Sequence, residues 1–189
     1  MDPLHALVER LDAEEPCTAL HGRAVAMWAG RIAGHLRLSR DDVSFISRCG
    51  LVHDIGKLFV PLDLVRAPRA LDAAERAQMQ QHVVKGDLAI ALHPELRPYR
   101  DAVRWHHERI DGRGYPDGLR GEQIPLAARI VAVADAYDAM TGQRPYRFPM
   151  TPDRALLEIE RSRGKQFDPE IADAMLAIVD DLVLRPIAV

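Results

Sequence analysis

The sequence predicts an all-α fold, and three observations carry that expectation. Apolar residues recur at three- and four-residue spacings through most of the 189 residues. No segment shows the two-residue period of a strand. Capping residues and prolines punctuate the chain at helix-length intervals. Residues 1–16 read as a lead-in to the core of a single compact domain spanning 17–182. Between Cys17 and Leu36, His21, Val25, Trp28, Ile32 and Leu36 share one helix face, with Arg23 and Arg31 largely elsewhere. Ser39 caps a second helix with Asp41 and Asp42 in its first turn, and Ile46, Cys49, Gly50 and His53 line one face before a stop near Gly56. Pro61 and Ala67-Pro68 mark a connector, after which Leu71–Leu92 reads as one or two helices closing at His93-Pro94. Arg100–Arg109 is a further helix. Asp111–Pro125, with four glycines and two prolines, is a long loop of the kind that carries function. Ile124–Met140 is apolar nearly all round and therefore buried, yet it contains Asp135 and Asp138. Pro152–Arg163 and Pro169–Leu182 close the chain, with Thr151 and Asp168 as N-caps before prolines.

Composition narrows the partners. Twenty-five basic against 28 acidic side chains give a net charge of −3, so nothing broad attracts DNA or an anionic membrane. An anionic ligand must be held locally, by a metal or a small basic cluster. Cys17 and Cys49 form no C-x-x-C and no disulfide framework. No apolar run approaches the ~18 residues of a membrane span, and MDPLHALVER lacks the basic and apolar regions of a secretory leader. The expectation is a cytoplasmic protein.

The chemistry falls on the helix faces. Five histidines, His21, His53, His82, His106 and His107, lie where a face should be buried, and Asp54 follows His53 directly. Neighbouring helical residues project about 100° apart, so a His-Asp or His-His pair converges only on something between them, and a metal ion is such an object. A buried, unpaired carboxylate at Asp135 costs several kcal/mol and needs a cation. Oxygen and nitrogen donors without thiolate suit Fe, Mn or Zn rather than a structural zinc–cysteine site.

His53-Asp54-Ile55-Gly56-Lys57 and the run from His106 to Pro116, HHERIDGRGYP, resemble the two signatures of the HD-GYP family, metal-dependent phosphodiesterases of the HD superfamily that hydrolyse cyclic di-GMP. The resemblance continues through GLRGEQIPLAARIVAVADAYDAMTGQRPYR to GKQFDP at 164–169. It implies metal ligands at His21, His53, Asp54, His82, His106, His107 and Asp135. One divalent ion takes His21, His53, Asp54 and Asp135; the other takes His82, His106, His107 and the bridging Asp54. Fe or Mn is the expected pair, with Zn, Ni or Mg as alternatives. The resemblance also implies that Lys57 contacts a phosphate, that Tyr115 lies near substrate on a loop shaped by Gly112 and Gly114, and that Arg144 and Arg147 hold the ligand's phosphates. Glu108 is expected to orient a metal ligand from behind. Some family members hold a third metal with a glutamate four residues before the first histidine. Cys17 stands there, so two metals and an inward, inert thiol are expected.

The implied reaction opens cyclic di-GMP to pGpG, with GMP on further cleavage, and signalling proteins are the expected macromolecular partners. Two readings stay open beside it: a catalytically weak cyclic di-GMP-binding or partner-docking domain, and an HD-superfamily phosphohydrolase of another nucleotide.

Overall fold

The computed structural model describes residues 3–142 and 148–184, which fold into ten α-helices and three short 3-10 turns. An isolated bridge between Arg163 and Phe167 is their one β contact. The segment read as a lead-in is itself a helix, α1 (Pro3–Glu14), burying Leu4 and Leu11. Then follow α2 (Pro16–His35), α3 (Arg40–Val52), a 3-10 turn at Ile55–Phe59, and the single-turn α4 (Leu62–Val65). After these come α5 (Ala73–Gln80), α6 (His82–Ala91), a 3-10 turn at Pro94–Tyr99 and α7 (Arg100–Trp105). The long loop holds a 3-10 turn at Gly121–Gln123 and leads to α8 (Leu126–Thr141), α9 (Pro152–Ser162) and α10 (Pro169–Leu184).

Local chemistry sets several boundaries. Ser39 Oγ accepts from Asp42 N at 3.1 Å, capping α3. Asp72 and Glu75 form a reciprocal capping box at α5, at 2.9 and 3.0 Å. Asp168 accepts from Glu170 N at 2.9 Å, whereas Thr151 makes no side-chain capping bond. At the end of α2 the amides of Arg37 and Leu38 bond to Gly34 O and Ala33 O, a Schellman closure. It places Arg37, not a glycine, at φ 59°.

The core is one cluster to which α2 contributes Val25, Ala29 and Ile32, α3 Ile46 and Cys49, and α8 Ile130 and Val133. Each buried Val or Ile among them stabilises the fold by about 1.5–3 kcal/mol. α8 packs against α2, α3, α7, α9 and α10, which is why its sequence is apolar nearly all round. No described helix is long and apolar enough to cross a membrane.

One glycine fixes how the halves meet. A Cβ on Gly56 would lie 1.8 Å from His82 O and 2.7 Å from Gly86 N, so only glycine lets the turn after Asp54 lie against α6. That contact brings His53-Asp54 to His82.

Candidate metal centre

Five segments converge. His21 comes from α2, His53 and Asp54 from the end of α3, His82 from the first residue of α6, His106 and His107 from the turn closing α7, and Asp135 from α8. His53, Asp54, His82 and His106 are each no more than 3% exposed. The helix expected to reach Arg109 stops at Trp105, and His106 turns back so that Nδ1 meets Ala102 O at 3.0 Å and Val103 O at 3.1 Å.

Three histidines repeat that geometry. Nδ1 of His53 donates to Gly50 O at 2.7 Å and Nδ1 of His82 to Met79 O at 2.8 Å, as Nδ1 of His106 does to its own turn. A carbonyl only accepts, so the ring proton sits on Nδ1 and the Nε2 lone pair faces inward, as a metal ligand requires. Nε2 of His82 and Nε2 of His106 then stand 3.5 Å apart with no hydrogen between them. Two facing lone pairs ask for a cation.

Asp54 sits between two groups. Its Oδ2 lies 3.3 Å from His53 Nε2 and 3.9 Å from His21 Nε2, while Oδ1 lies 3.3 Å from His82 Nε2 and 4.0 Å from His106 Nε2. The ligand atoms of His21, His53 and Asp54 lie within 4.8 Å of one another, as do those of His82, His106 and His107. His53 Nε2 and Asp54 Oδ1 are fully buried and make no hydrogen bond. Orphans of this kind are costly unless something bonds them, so the donors present fit divalent metal ions, with Asp54 within reach of both groups.

The electrostatics match that arrangement. Burial opposes charge on Asp54, yet Lys57, whose Nζ stands 2.5 Å from Oδ2, holds its carboxyl well below the usual range. Burial holds His106 well below the ordinary imidazole value and takes His107 down to about 3, so both rings are neutral. His21 behaves oppositely. Burial disfavours its charge, but Nε2 bonds Asp135 at 2.9 Å and Nδ1 bonds Asp138 at 2.6 Å, pushing it up to about 9. Asp138 was not among the expected site residues. Its signal is its place three residues after Asp135 on the same helix face.

Glu108 corrects an expectation. It orients no metal ligand; its carboxylate is buried and accepts from the backbone amides of Asp117 (2.7 Å), Gly118 (2.9 Å) and Leu119 (3.1 Å). It anchors the glycine-rich loop. Asp117 adds a second tie, accepting from Arg104 and from Trp105 Nε1 at 2.7 Å, and Arg104 in turn reaches the buried Asp87 of α6. Gly114 lies so close to Glu108 that a Cβ there would stand 2.4 Å from Glu108 Cα. The loop joins the 164–169 turn through Asp111 N to Lys165 O at 2.8 Å, and Arg109 Nη1 donates to Gln166 Oε1 at 3.0 Å.

Held in this way, the loop lays Tyr115 on His107, with ring centroids 4.9 Å apart and planes 29° apart. Burial, with Asp54 and Asp135 nearby, raises the Tyr115 phenol, which stays protonated at neutral pH. Tyr115, His106, His107 and Asp135 line a cleft of about 290 Å³, together with Arg113 and Gln166. Arg144 and Arg147 lie outside the described residues. Cys17 gives a second correction: in the first turn of α2 it lies on the exposed side rather than inward, while Thr18 and Ala19 of that turn are buried. The neighbouring acids are engaged elsewhere, Glu15 by Arg66 at 2.7 Å and Glu14 by Arg10 at 2.7 Å.

Known proteins resemble this chain over most of its length. The 3'3'-cGAMP-specific phosphodiesterase 3 of Vibrio cholerae is 38% identical over 168 residues, 87% of this chain and 36% of that protein. The cyclic di-GMP phosphodiesterase of Thermotoga maritima is 36% identical over 184 residues, 96% of this chain and 49% of that protein. The chain therefore spans less than half the length of either relative. The crystal structure of the Vibrio cholerae phosphodiesterase V-cGAP3 matches with a TM-score of 0.61 at 32% identity, over 94% of this chain and 40% of that one. The HD domain of Listeria monocytogenes PgpH in complex with cyclic-di-AMP shares the fold, with a TM-score of 0.68 at 17% identity, over 98% of this chain and all of that one. The HD domain family matches residues 6–171, and this chain, bearing both HD-GYP signatures, belongs to it.

Proposed function

We propose that this chain is a metal-dependent phosphodiesterase that opens cyclic di-GMP to pGpG, with GMP on further cleavage. The observation that carries the reading is Asp54, buried, with one oxygen turned to each histidine group. The named activities of the relatives, all on cyclic dinucleotides, support it. His21, His53, Asp54 and Asp135 would hold one divalent ion and Asp54, His82, His106 and His107 the other, with Fe or Mn favoured by the mixed nitrogen–oxygen donors. Bound there, such ions supply Lewis acidity and a water acidic enough to deprotonate near neutral pH.

The chain's own residues supply the rest. Water adds across one P–O3′ bond, leaving a 5′-phosphate and a 3′-hydroxyl, and charge builds on the phosphoryl oxygens. Lys57, one turn beyond His53-Asp54, offsets that charge. Tyr115 offers a protonated phenol to the bound substrate, and Arg144 and Arg147 hold its phosphates. The Glu108 and Asp117 ties fix the loop so that Tyr115 is in place before substrate arrives. A second reading, 3'3'-cGAMP as the preferred substrate, is favoured by the Vibrio cholerae relative.

Turnover of cyclic di-GMP and of 3'3'-cGAMP, measured with metal content, tests the proposal. Asp54→Ala is expected to lose more than 100-fold in activity and to bind less metal while keeping its helical circular dichroism, because losing a shared ligand exceeds the 10–100-fold effect of an outer partner. Near-wild-type hydrolysis by this variant at saturating metal would refute it.

A further inference from the structure

We infer that Arg113 is a substrate-positioning residue that holds the phosphate of the cyclic dinucleotide not undergoing cleavage; this rests on the function proposed above. A cyclic dinucleotide carries two phosphodiester anions in one small ring. If one lies at the Asp54 centre, the other must sit a short distance along the same cleft and needs a cation there. Arg113 lines that cleft, two residues before Tyr115 on the same loop, so their Cα atoms are at most about 7 Å apart.

Its neighbours leave it free for that task. The acid nearest in sequence, Asp111, feels the Arg113 charge but has both oxygens engaged by Arg109, whose Nε and Nη2 donate to them at 3.0 and 2.7 Å. Glu108, also in the cleft wall, is spent on three backbone amides. Among the described residues the Arg113 guanidinium, the one cationic side chain between Gly112 and Tyr115, makes no ion pair within 4.0 Å. Its backbone is nevertheless fixed, since Arg113 N donates to Asp111 Oδ1 at 3.1 Å between the tightly placed Gly112 and Gly114. A fixed backbone bearing an unpaired guanidinium in a catalytic cleft is a site prepared for an anion.

The test compares metal-loaded wild type, Arg113→Gln and Arg113→Lys on cyclic di-GMP and on bis(p-nitrophenyl) phosphate, which has one phosphate. Arg113→Gln should raise KM for cyclic di-GMP about tenfold, the scale of one partly exposed charge-assisted contact. It should leave kcat, metal content and the one-phosphate reaction within about twofold. Arg113→Lys, which keeps the charge, should recover most of the loss. Unchanged KM in Arg113→Gln overturns the inference. So does a lysine variant as poor as the glutamine one, which would mean that the planar guanidinium reads a base edge. Wild-type protein that cleaves bis(p-nitrophenyl) phosphate but neither binds nor cleaves cyclic di-GMP or 3'3'-cGAMP would instead sink the proposed function, and Arg113's role with it.

Discussion

Replacing Glu108 by Gln removes one negative charge and exchanges one acceptor for a donor, in a place where all three partners are backbone N–H groups. The remaining carbonyl can serve Asp117 and Gly118, but bonds to a neutral acceptor are worth roughly half those to a charged one. The new amide group faces the Leu119 N–H, donor against donor, which costs about 1–3 kcal/mol. Together the loop anchor should weaken by about 2–4 kcal/mol, or roughly 30- to 700-fold in the closed-to-open ratio at 1.4 kcal/mol per decade. Native-state hydrogen exchange at residues 117–119 reads that ratio directly. Exchange there should quicken by this factor while the α2–α3 core amides hold their protection, and KM for a cyclic dinucleotide should rise with metal content unchanged. If those amides exchanged as in wild type, Glu108 would not be the anchor. Loss of metal with an intact loop would restore the expectation that it orients a ligand.

Two further outcomes follow from the electrostatics and the backbone. His21, pushed up to about 9, carries a proton at pH 7.5 in the metal-free protein, whereas His107, taken down to about 3, carries none. Metal loading must expel the His21 proton, so calorimetry in buffers of different ionisation enthalpy should show about one proton released at pH 7.5, and affinity rising with pH until about 9; no release would contradict the Asp135–His21–Asp138 arrangement. Arg37 holds a left-handed conformation at φ 59°, which costs an L-residue about 1–2 kcal/mol. Arg37→Gly should therefore raise stability by about 0.5–1 kcal/mol after the greater unfolded-state freedom of glycine is subtracted, and a lowered Tm would count against that reading.

Much of the fold is legible in the sequence because helix faces repeat and prolines and caps are local. The boundaries that slip are those set by distant partners: the turn after Trp105 is shaped by His106 bonding back to its own helix and by Glu108 reaching the loop. Leu4, Leu7, Val8 and Leu11 do carry the periodicity of α1, in a stretch short enough to pass for a lead-in. The HD dipeptide and the HHE run announce ligand-type residues, and the structure brings all seven to one place. Spacing cannot say which way a side chain turns. Glu108 beside two histidines looks like a ligand's support until its amide partners are seen, and Cys17, one turn before His21, faces solvent while Thr18 and Ala19 of the same turn are buried.

The reach of His21 across the chain has a consequence for folding. Its two aspartate partners lie 114 and 117 residues later, so the Asp135–His21–Asp138 contact fastens an early helix to a late one. A link of that span closes a large loop, and the entropy of closing it must be met before either end is rewarded. The centre therefore completes itself only when most of the chain is already in place. A ligand bound by the finished centre and not by the open chain adds its binding free energy to the whole fold, about 4 kcal/mol at a thousand times its Kd. Chelation should accordingly soften α2 and α8 together, because the same few side chains that hold the chemistry also fasten these two distant helices to each other.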